Sequence, residues 1–282
     1  MEVTMLGTGH AMVTEYYNTC FALQNDAKAP AKATSNPLSS EEPVFLVDGG
    51  GGSMILHNLK HAGIKVSQIH DVFVSHHHID HMTGVIWIVR AITSEMSRGS
   101  FEGDARIYAH PALSKLMEDF CKQVIDKRQA AFIGDRLKFV PVEDGEQREV
   151  LGHSVTFFDL GPECKVRQFG FQMTLEDGRK ITMFGDETCH PAGEPYMKDS
   201  YLVFHEAFCL DAEEAKYHPY QIGHSTVKTA CELAEAAGVR NLVLYHTEDS
   251  HGADRKRLYT QEGARYFTGN LRVPDDLESF EI

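Results

Sequence analysis

The stretch that decides the fold of this chain is VFVSHHHIDHMTGV, residues 72–85. It places four histidines and one aspartate within six positions, directly after an apolar run that is typical of a β-strand. Buried side by side in a hydrophobic core, these imidazoles would each need a hydrogen-bond partner and would resist being charged together. The density of histidine therefore indicates that this stretch binds something from outside the chain.

The spacing within this stretch is typical of a metal site. The motif H-x-H-x-D-H is formed by His76, His78, Asp80 and His81. Because side chains alternate along an extended backbone, the first two histidines can bind one metal ion, while the last two residues reach a second ion from the following turn. Further ligands are available at two predicted strand ends, at Asp186 in MFGDET and at His246 in LVLYHTED. The alternative, a solvated polar loop, gives no reason for a ligand-like spacing.

The composition is that of an acidic globular protein. Of the 282 residues, 42% are hydrophobic and 24% charged, which is enough for a substantial buried core. The formal charge of −14 argues against broad nonspecific attraction to nucleic acid, which needs lysine and arginine to displace counterions. The six cysteines contain no C-x-x-C pair, so a zinc ribbon is not expected. No apolar run reaches the ~18 residues of a membrane span, and MEVTMLGTGH lacks the features of a secretory signal, so we expect a cytoplasmic protein with no membrane partner.

Short runs rich in Val, Ile and Phe recur along the chain and predict about ten β-strands. The clearest hairpin is FQMTLEDGRKITMF, residues 171–184, in which Asp177 and Gly178 supply the turn. Residues 27–43 are of low complexity and predict a flexible loop between two strands of a hairpin. Since no linker divides the chain, we expect one domain, residues 1–282.

Two amphipathic helices are predicted between the strands. The first begins behind Pro111, and the second is capped by Ser225 and ends at Gly238. The apolar face of the first helix is expected to consist of Leu113, Leu116, Met117, Phe120 and Val124. The mixture of strands and helices indicates an α/β or α+β protein with sheets at its centre.

Segments along nearly the whole chain resemble those of a known enzyme family. The opening segments are MLGTGHAMVTEYYNTCFAL (5–23), FLVDGGGGSMILHNLKHAGI (45–64) and IHDVFVSHHHIDHMTGVIWIV (69–89). They resemble the opening of a metallo-β-lactamase-fold hydrolase, and within that superfamily ribonuclease Z and its relatives. The later segments are FGDET (184–188), FHEAF (204–208), GHST (223–226) and LVLYHTED (242–249). These are similar to the family's bridging aspartate, its HEAT and HST motifs and its last metal-binding histidine, in the family's order.

The resemblance implies a fold and a metal centre. The fold is a four-layer αββα sandwich of the α/β class, with two sheets face to face, helices outside and a dinuclear site at one sheet edge. Carried across motif by motif, the first metal is held by His76 and His78, the second by Asp80, His81 and His246, and both by Asp186. Two divalent ions, zinc in this family, are expected, and manganese or iron suits the same ligand types.

The resemblance also implies catalytic roles. Asp80 would orient a metal-bound hydroxide or accept its proton, and a shared pair of ions would make that hydroxide available near neutral pH. Glu206 and His224 would form a proton-donating pair that acts on the leaving oxygen. For His224 the alternative is a helix-capping side chain beside Ser225. His205 is expected to be a buried, hydrogen-bonded strand-end imidazole.

The chain departs from the family at one ligand. Relatives place a histidine shortly before a Gly-aromatic pair as the third ligand of the first metal, and the matching stretch FDLGPECKVRQFGF (158–171) contains none. The position falls on Gly161 or Cys164. A thiolate from Cys164, an oxygen from Glu163 or the nearby His190 can substitute, and otherwise a weakly occupied or one-metal site is expected.

The reaction favoured by these residues is phosphodiester hydrolysis. Ribonuclease Z carries a glycine-rich, basic arm that grips transfer RNA, whereas residues 91–135 predict a strand and helices instead. RNA therefore stays a candidate substrate, although the net negative charge of the chain gives no indication of RNA binding. The alternatives are hydrolysis of a small ester, lactone, thioester, sulfate ester or β-lactam, and a non-catalytic metal-binding sensor or scaffold. Family resemblance also allows a homodimer.

Overall fold

The computed structural model describes residues 1–25 and 42–282, which form two seven-stranded sheets. The first sheet contains β1 (Glu2–Gly7), β2 (Cys20–Gln24), β3 (Val44–Val47), β4 (Ile69–Phe73), β5 (Ala105–Ala109), β6 (Leu137–Pro141) and β14 (Ser279–Glu281). The second contains β7 (Gln147–Val150), β8 (His153–Asp159), β9 (Phe169–Thr174), β10 (Lys180–Met183), β11 (Leu202–Glu206), β12 (Asn241–Tyr245) and β13 (Asn270–Arg272).

The two sheets have the same internal organisation. Their strand orders are β14-β1-β2-β3-β4-β5-β6 and β13-β12-β11-β10-β9-β8-β7. Each sheet contains three consecutive antiparallel pairs and three consecutive parallel pairs. The parallel strands are β3 to β6 in the first sheet and β10 to β13 in the second. Parallel strands need both faces covered, which predicts helices on the outside of each sheet.

The helices occupy those outer faces. They are α1 (Met54–His61), α2 (Ile79–Arg98), α3 (Pro111–Val124), α4 (Lys127–Ala130), α5 (Glu194–Met197), α6 (Glu214–Tyr217), α7 (Val227–Ala236) and α8 (Arg255–Gly263). Short 3-10 segments cover Val66–Gln68, Asp211–Glu213, Pro219–Ile222 and Gly252–Asp254. Within the described ranges, no helix is both long and apolar enough to cross a bilayer.

Period-two alternation along the strands separates the core into layers. On β2, Phe21 and Leu23 belong to the core between the sheets, whereas Cys20 and Ala22 face the layer shared with α1, α2 and α3. Phe21 stacks on Phe204 of the opposite sheet with ring centroids 4.3 Å apart. A third cluster packs α7 and α8 against the outer face of the second sheet. The result is the four-layer αββα sandwich expected from the sequence.

Several local predictions are confirmed. The hairpin forms as β9 and β10, which pair antiparallel, and Gly178 adopts a positive φ of 82° at its turn. Residues 91–135 contain the end of α2, β5, α3 and α4, so the segment is a strand with helices as expected. The low-complexity stretch 27–43 lies almost entirely outside the described residues.

Two helix predictions need correction. The α7 cap is Thr226, whose hydroxyl accepts from the Thr229 amide at 3.3 Å, whereas the Ser225 hydroxyl donates to the Glu206 carbonyl at 3.3 Å. On α3 the expected apolar face is only partly buried, since Leu113 and Met117 pack inward with Cys121. The remaining members are exposed, by 47%, 43% and 55% for Leu116, Phe120 and Val124. The buried face of α3 therefore follows positions 113, 117 and 121, and the predicted positions 116, 120 and 124 face solvent.

Candidate metal centre

The predicted site residues meet at one edge of the sandwich. Strands β10, β11 and β12 run parallel, so their carboxyl ends lie along the same edge of the second sheet. Asp186 and His246 follow β10 and β12, and Glu206 is the last residue of β11. The histidine motif occupies the loop between β4 and α2 and the first turn of that helix. Strand ends from both sheets thus position one group of side chains.

The Asp186 carboxylate is the centre of this group. Its Oδ2 atom lies 3.4 Å from His76 Nε2, 3.4 Å from His81 Nε2 and 3.5 Å from His246 Nε2. His78 Nδ1 is 4.0 Å away on the more exposed side. Asp186 is only 3% exposed and is buried with three of these histidines, whereas the His78 side chain is 45% exposed.

The donor atoms fall into two sets that share Asp186. Within each set all donor atoms lie within 4.8 Å of one another, and the sets are His76, His78 and Asp186, and Asp80, His81, Asp186 and His246. The division between the sets is the one that the resemblance implies for two metals. All six residues proposed from the sequence as ligands are therefore brought together.

The chemistry of these donors fits metal ions. Four buried atoms have no hydrogen-bond partner among the residues described: His76 Nε2, His81 Nε2, Asp80 Oδ2 and Asp186 Oδ1. Each unsatisfied buried polar atom costs about 1–3 kcal/mol, so four at one place need a common explanation. Ligands of one tetrahedral ion lie about 3.3 Å apart, close to the separations around Asp186. Imidazole nitrogens and carboxylate oxygens suit zinc, manganese and iron alike.

A hydrogen-bonded shell orients two of the histidines. Asp48, the residue after β3, accepts from His81 Nδ1 and from Ser75 Oγ, both at 2.8 Å, and from the Ser75 amide at 2.8 Å. Because the Ser75 hydroxyl donates to Asp48, it accepts from His76 Nδ1 at 3.0 Å. Both rings therefore carry their proton on Nδ1 and turn Nε2 towards Asp186.

The last histidine is held in the same way. Thr19 Oγ1 donates to the Gly9 carbonyl and so accepts from His246 Nδ1 at 3.1 Å. His246 and Asp48 both adopt a left-handed backbone, with φ of 57° and 55°. Such strain in non-glycine residues clusters at functional sites. Sequence reasoning missed Thr19, Ser75 and Asp48, and the signal available for Asp48 was its place at the end of the VFLVD strand.

The two carboxylates of the centre are held in the anionic form. Burial opposes ionisation of Asp186, but the nearby histidines outweigh it and keep its pKa well below the usual range. Burial also opposes ionisation of Asp80. The hydrogen bond from His81 and its charge outweigh burial and lower the pKa of Asp80 below that of an ordinary aspartate. Ionised carboxylates are the forms that bind cations and accept protons.

Glu206 and His224 lie beside the centre. The fully buried Glu206 accepts from the Ser225 amide through Oε1 at 2.6 Å, and its Oε2 lies 3.8 Å from His224 Nδ1. Burial raises the pKa of Glu206 well above its usual value. His224 Nδ1 donates to the Asp186 carbonyl at 2.6 Å, which leaves Nε2 available to a substrate. The two side chains are neighbours, as expected, but do not hydrogen-bond to each other.

His205 has the structural environment expected for it. Its Nδ1 donates to the Glu206 carbonyl at 2.6 Å, and its Nε2 accepts from the Cys189 amide at 3.1 Å. Burial lowers its pKa to about 4, so the imidazole is neutral. Both ring nitrogens are occupied by backbone partners, which leaves none for a metal.

The three candidates for the missing ligand lie elsewhere. Cys164 and His190 gather with Glu187 in a separate group, and Glu163 is an exposed loop residue. Among the described residues, the set around His76 therefore has no third histidine.

Comparisons with known proteins identify the superfamily and the fold of the chain. A family model described as "Beta-lactamase superfamily domain" matches residues 45–247. The chain is 26% identical to a protein named Ribonuclease Z from Myxococcus xanthus, with 100% of this chain and 98% of the relative covered. It is also similar to the solved metallo-beta-lactamase fold protein YhfI from Bacillus subtilis, with 18% identity, 100% and 99% of the two chains covered and a TM-score of 0.75. Human tRNase Z, short form, gives 20% identity, 100% and 99% coverage and a TM-score of 0.69. These structures confirm the fold.

Proposed function

The chain belongs to the beta-lactamase superfamily, and from this premise we propose that it is a metal-dependent hydrolase, similar to ribonuclease Z, that cleaves phosphodiester bonds. One observation carries the proposal: the Asp186 carboxylate lies 3.4–3.5 Å from the Nε2 atoms of three histidines, and four polar atoms around it have no partner among the described residues. This arrangement is suited to binding cations, and its position at the strand ends is suited to acting on a substrate.

The ligands are assigned as the geometry groups them. His76 and His78 would hold the first ion, Asp80, His81 and His246 would hold the second, and Asp186 would contribute to both sets. Zinc is the metal we propose, with manganese or iron as substitutes for the same donors. When bound, a pair of divalent ions lowers the pKa of water and stabilises negative charge on a phosphoryl oxygen.

The protein's own groups handle the protons. Asp80, held as a carboxylate, orients the attacking water and accepts its proton. The imidazolium form of His224 donates a proton from Nε2 to the leaving oxygen, while its Nδ1 keeps the hydrogen bond to the Asp186 carbonyl. Glu206, 3.8 Å from that Nδ1, fixes the loop that carries His224 through its bond to the Ser225 amide.

The substrate is a phosphodiester, with RNA as one member of that class. The support for RNA is the name of the relatives, and the formal charge of −14 weighs against nonspecific binding of it. The assembly as a homodimer and the cytoplasmic location stay predictions.

The test is metal analysis followed by turnover of a chromogenic panel. We expect bound transition metal and metal-dependent hydrolysis of bis(p-nitrophenyl) phosphate that exceeds hydrolysis of an aryl sulfate and of a lactone. Faster turnover of the lactone or sulfate would move the assignment to small-molecule esters. A protein that binds no metal and hydrolyses none of the panel would overturn the proposal.

A further inference from the structure

A second group of ligand-type side chains lies outside the centre described above. We propose that Cys164, Glu187 and His190 form a separate binding site for one zinc-like divalent ion. Cys164 is in the loop between β8 and β9, and the other two residues follow β10. Their Sγ, carboxylate oxygen and imidazole nitrogen all lie within 4.8 Å of one another.

The separation of two of these side chains fits metal ligands and is too long for a direct hydrogen bond. His190 Nε2 and Glu187 Oε2 are 3.7 Å apart, which is too long for a hydrogen bond. Both atoms are buried and have no hydrogen-bond partner in the part of the chain that the structure describes. Ligands of one tetrahedral zinc ion lie about 3.3–3.8 Å apart, so a shared cation accounts for both the separation and the missing partners.

Glu187 is held so that one oxygen stays free. Its side chain is 4% exposed, and Oε1 accepts from the Lys165 amide at 2.7 Å and from Gln168 Nε2 at 3.2 Å. Behind Oε2 lies Gly223, where an added Cβ would come within 2.9 Å of that oxygen. The carboxylate is therefore fixed by two donors, with its second oxygen directed towards His190 and Cys164.

Cys164 is a thiol when no metal is bound. Burial raises the pKa of Cys164 to about 12, and the carboxylates of Glu187, Asp159 and Asp186 act in the same direction. Metal binding would therefore release the proton of Cys164, and thiolate is a ligand that zinc binds well.

The site is accessible from solvent. Cys164 is half-buried and lines an open cavity of about 590 Å³ together with Asp144, Asp159 and Arg167. Arg167 is paired with Asp159 at 3.0 Å, which leaves the charge of Asp144 unpaired by it. The cavity gives a cation a path from solvent to the thiol. Three protein ligands leave a fourth position for water or a small anion.

The site is distinct from the hydrolytic centre. The two groups adjoin through the Asp186–Glu187 peptide bond, but among the described residues they share no donor. Binding of an ion at this second site therefore does not depend on the proposed phosphodiesterase activity.

Cobalt substitution of the purified full chain tests the inference, because a thiolate ligand gives Co²⁺ a charge-transfer band in the near ultraviolet. We expect the band in the wild type and its loss in Cys164→Ser and His190→Gln, each with one ion per chain fewer by elemental analysis. His76→Ala should lose metal from the hydrolytic centre and keep the band. Cys121→Ser is the matched control, since burial also raises the pKa of this thiol to about 12 but it belongs to no group of ligand-type side chains within residues 1–25 and 42–282.

Each outcome decides the matter. A wild type without the band, or metal content indifferent to Cys164, overturns the inference. A band that His76→Ala abolishes assigns the thiol to the hydrolytic centre and also overturns it. Loss of phosphodiester turnover in all preparations, with the band and its variant pattern intact, overturns the proposed function and leaves this site in place. Circular dichroism of each variant separates ligand loss from misfolding.

Discussion

Replacing Asp48 with asparagine should weaken the metal centre without removing any ligand. The carboxylate accepts three hydrogen bonds at 2.8 Å, and its Oδ2 receives both Ser75 Oγ and His81 Nδ1. In the variant Asp48→Asn, only one of the two positions keeps an oxygen, so the amide nitrogen meets either the Ser75 amide or the Ser75 hydroxyl and His81 Nδ1. In the second arrangement His81 relieves the conflict by moving its proton from Nδ1 to Nε2, the atom that lies 3.4 Å from Asp186 Oδ2. A protonated Nε2 cannot bind a metal.

The size of the effect follows from the bonds that are lost. Loss of an orienting partner of a metal-binding histidine typically lowers metal affinity about 10–100-fold. A hydrogen bond to a charged acceptor contributes about 1.5–3 kcal/mol, so we expect the free energy of unfolding of the metal-free protein to fall by about that amount. Competition with a chromogenic chelator measures the affinity, and thermal or urea unfolding measures the stability.

A matched control separates orientation from general destabilisation. Asp71 on β4 is also a buried aspartate, 3% exposed, and is paired with Arg106 Nε at 2.7 Å. Asp71→Asn should therefore lose stability but keep wild-type metal affinity. Equal metal affinity in Asp48→Asn and the wild type, or equal losses of affinity in both variants, would refute the role of Asp48.

Three further predictions concern the proposed chemistry. Asp80→Asn should abolish hydrolysis with little loss of folding, because it keeps the size of the side chain and removes an anionic ligand and base; near-normal turnover would show that the site is misassigned. Glu206→Ala, which removes the acceptor of the Ser225 amide, and His224→Ala should lower phosphodiester turnover non-additively and leave metal content unchanged, whereas additive losses would make them independent residues. Removal of metal by a chelator should lower the melting temperature, since a ligand at 100 times its dissociation constant stabilises the native state by about 2.7 kcal/mol, and an unchanged melting temperature would contradict metal binding.

The ligands could be predicted because their signals are local in sequence. His76, His78, Asp80 and His81 fall within six positions, and the remaining two follow apolar runs that end as strands. The orienting partners have no such signal. Thr19 and His246 are 227 residues apart, and Asp48 and His81 are 33 apart, so only the folded sandwich shows that they touch. Sequence spacing therefore identifies the side chains that can bind a metal, whereas tertiary contacts determine how those side chains are oriented.

The helix corrections have a similar origin. On α3 two overlapping apolar stripes satisfy the helical period, and the sequence pattern cannot say which one the sheet covers. At α7 the residues Ser225 and Thr226 both have capping side chains, and the Ser225 hydroxyl donates to the Glu206 carbonyl instead. In both cases a tertiary contact decides between local alternatives of similar propensity.

The structure differs from the sequence prediction at the position of the missing histidine ligand. Position 164 follows the family pattern closely enough to predict a substitute ligand for the first metal, yet Cys164 lies with Glu187 and His190 instead. The reason is that Glu187 is fixed by the Lys165 amide and Gln168 from the same loop, which draws this loop towards Glu187. The set around His76 is then left with two histidines and the shared Asp186, so an ion bound there should exchange faster than one bound by Asp80, His81 and His246. In Cys164→Ser, which removes the separate thiol site, stepwise chelation followed by elemental analysis should remove one of the two remaining ions well before the other. Loss of both ions at the same rate would contradict the difference between the two ligand sets.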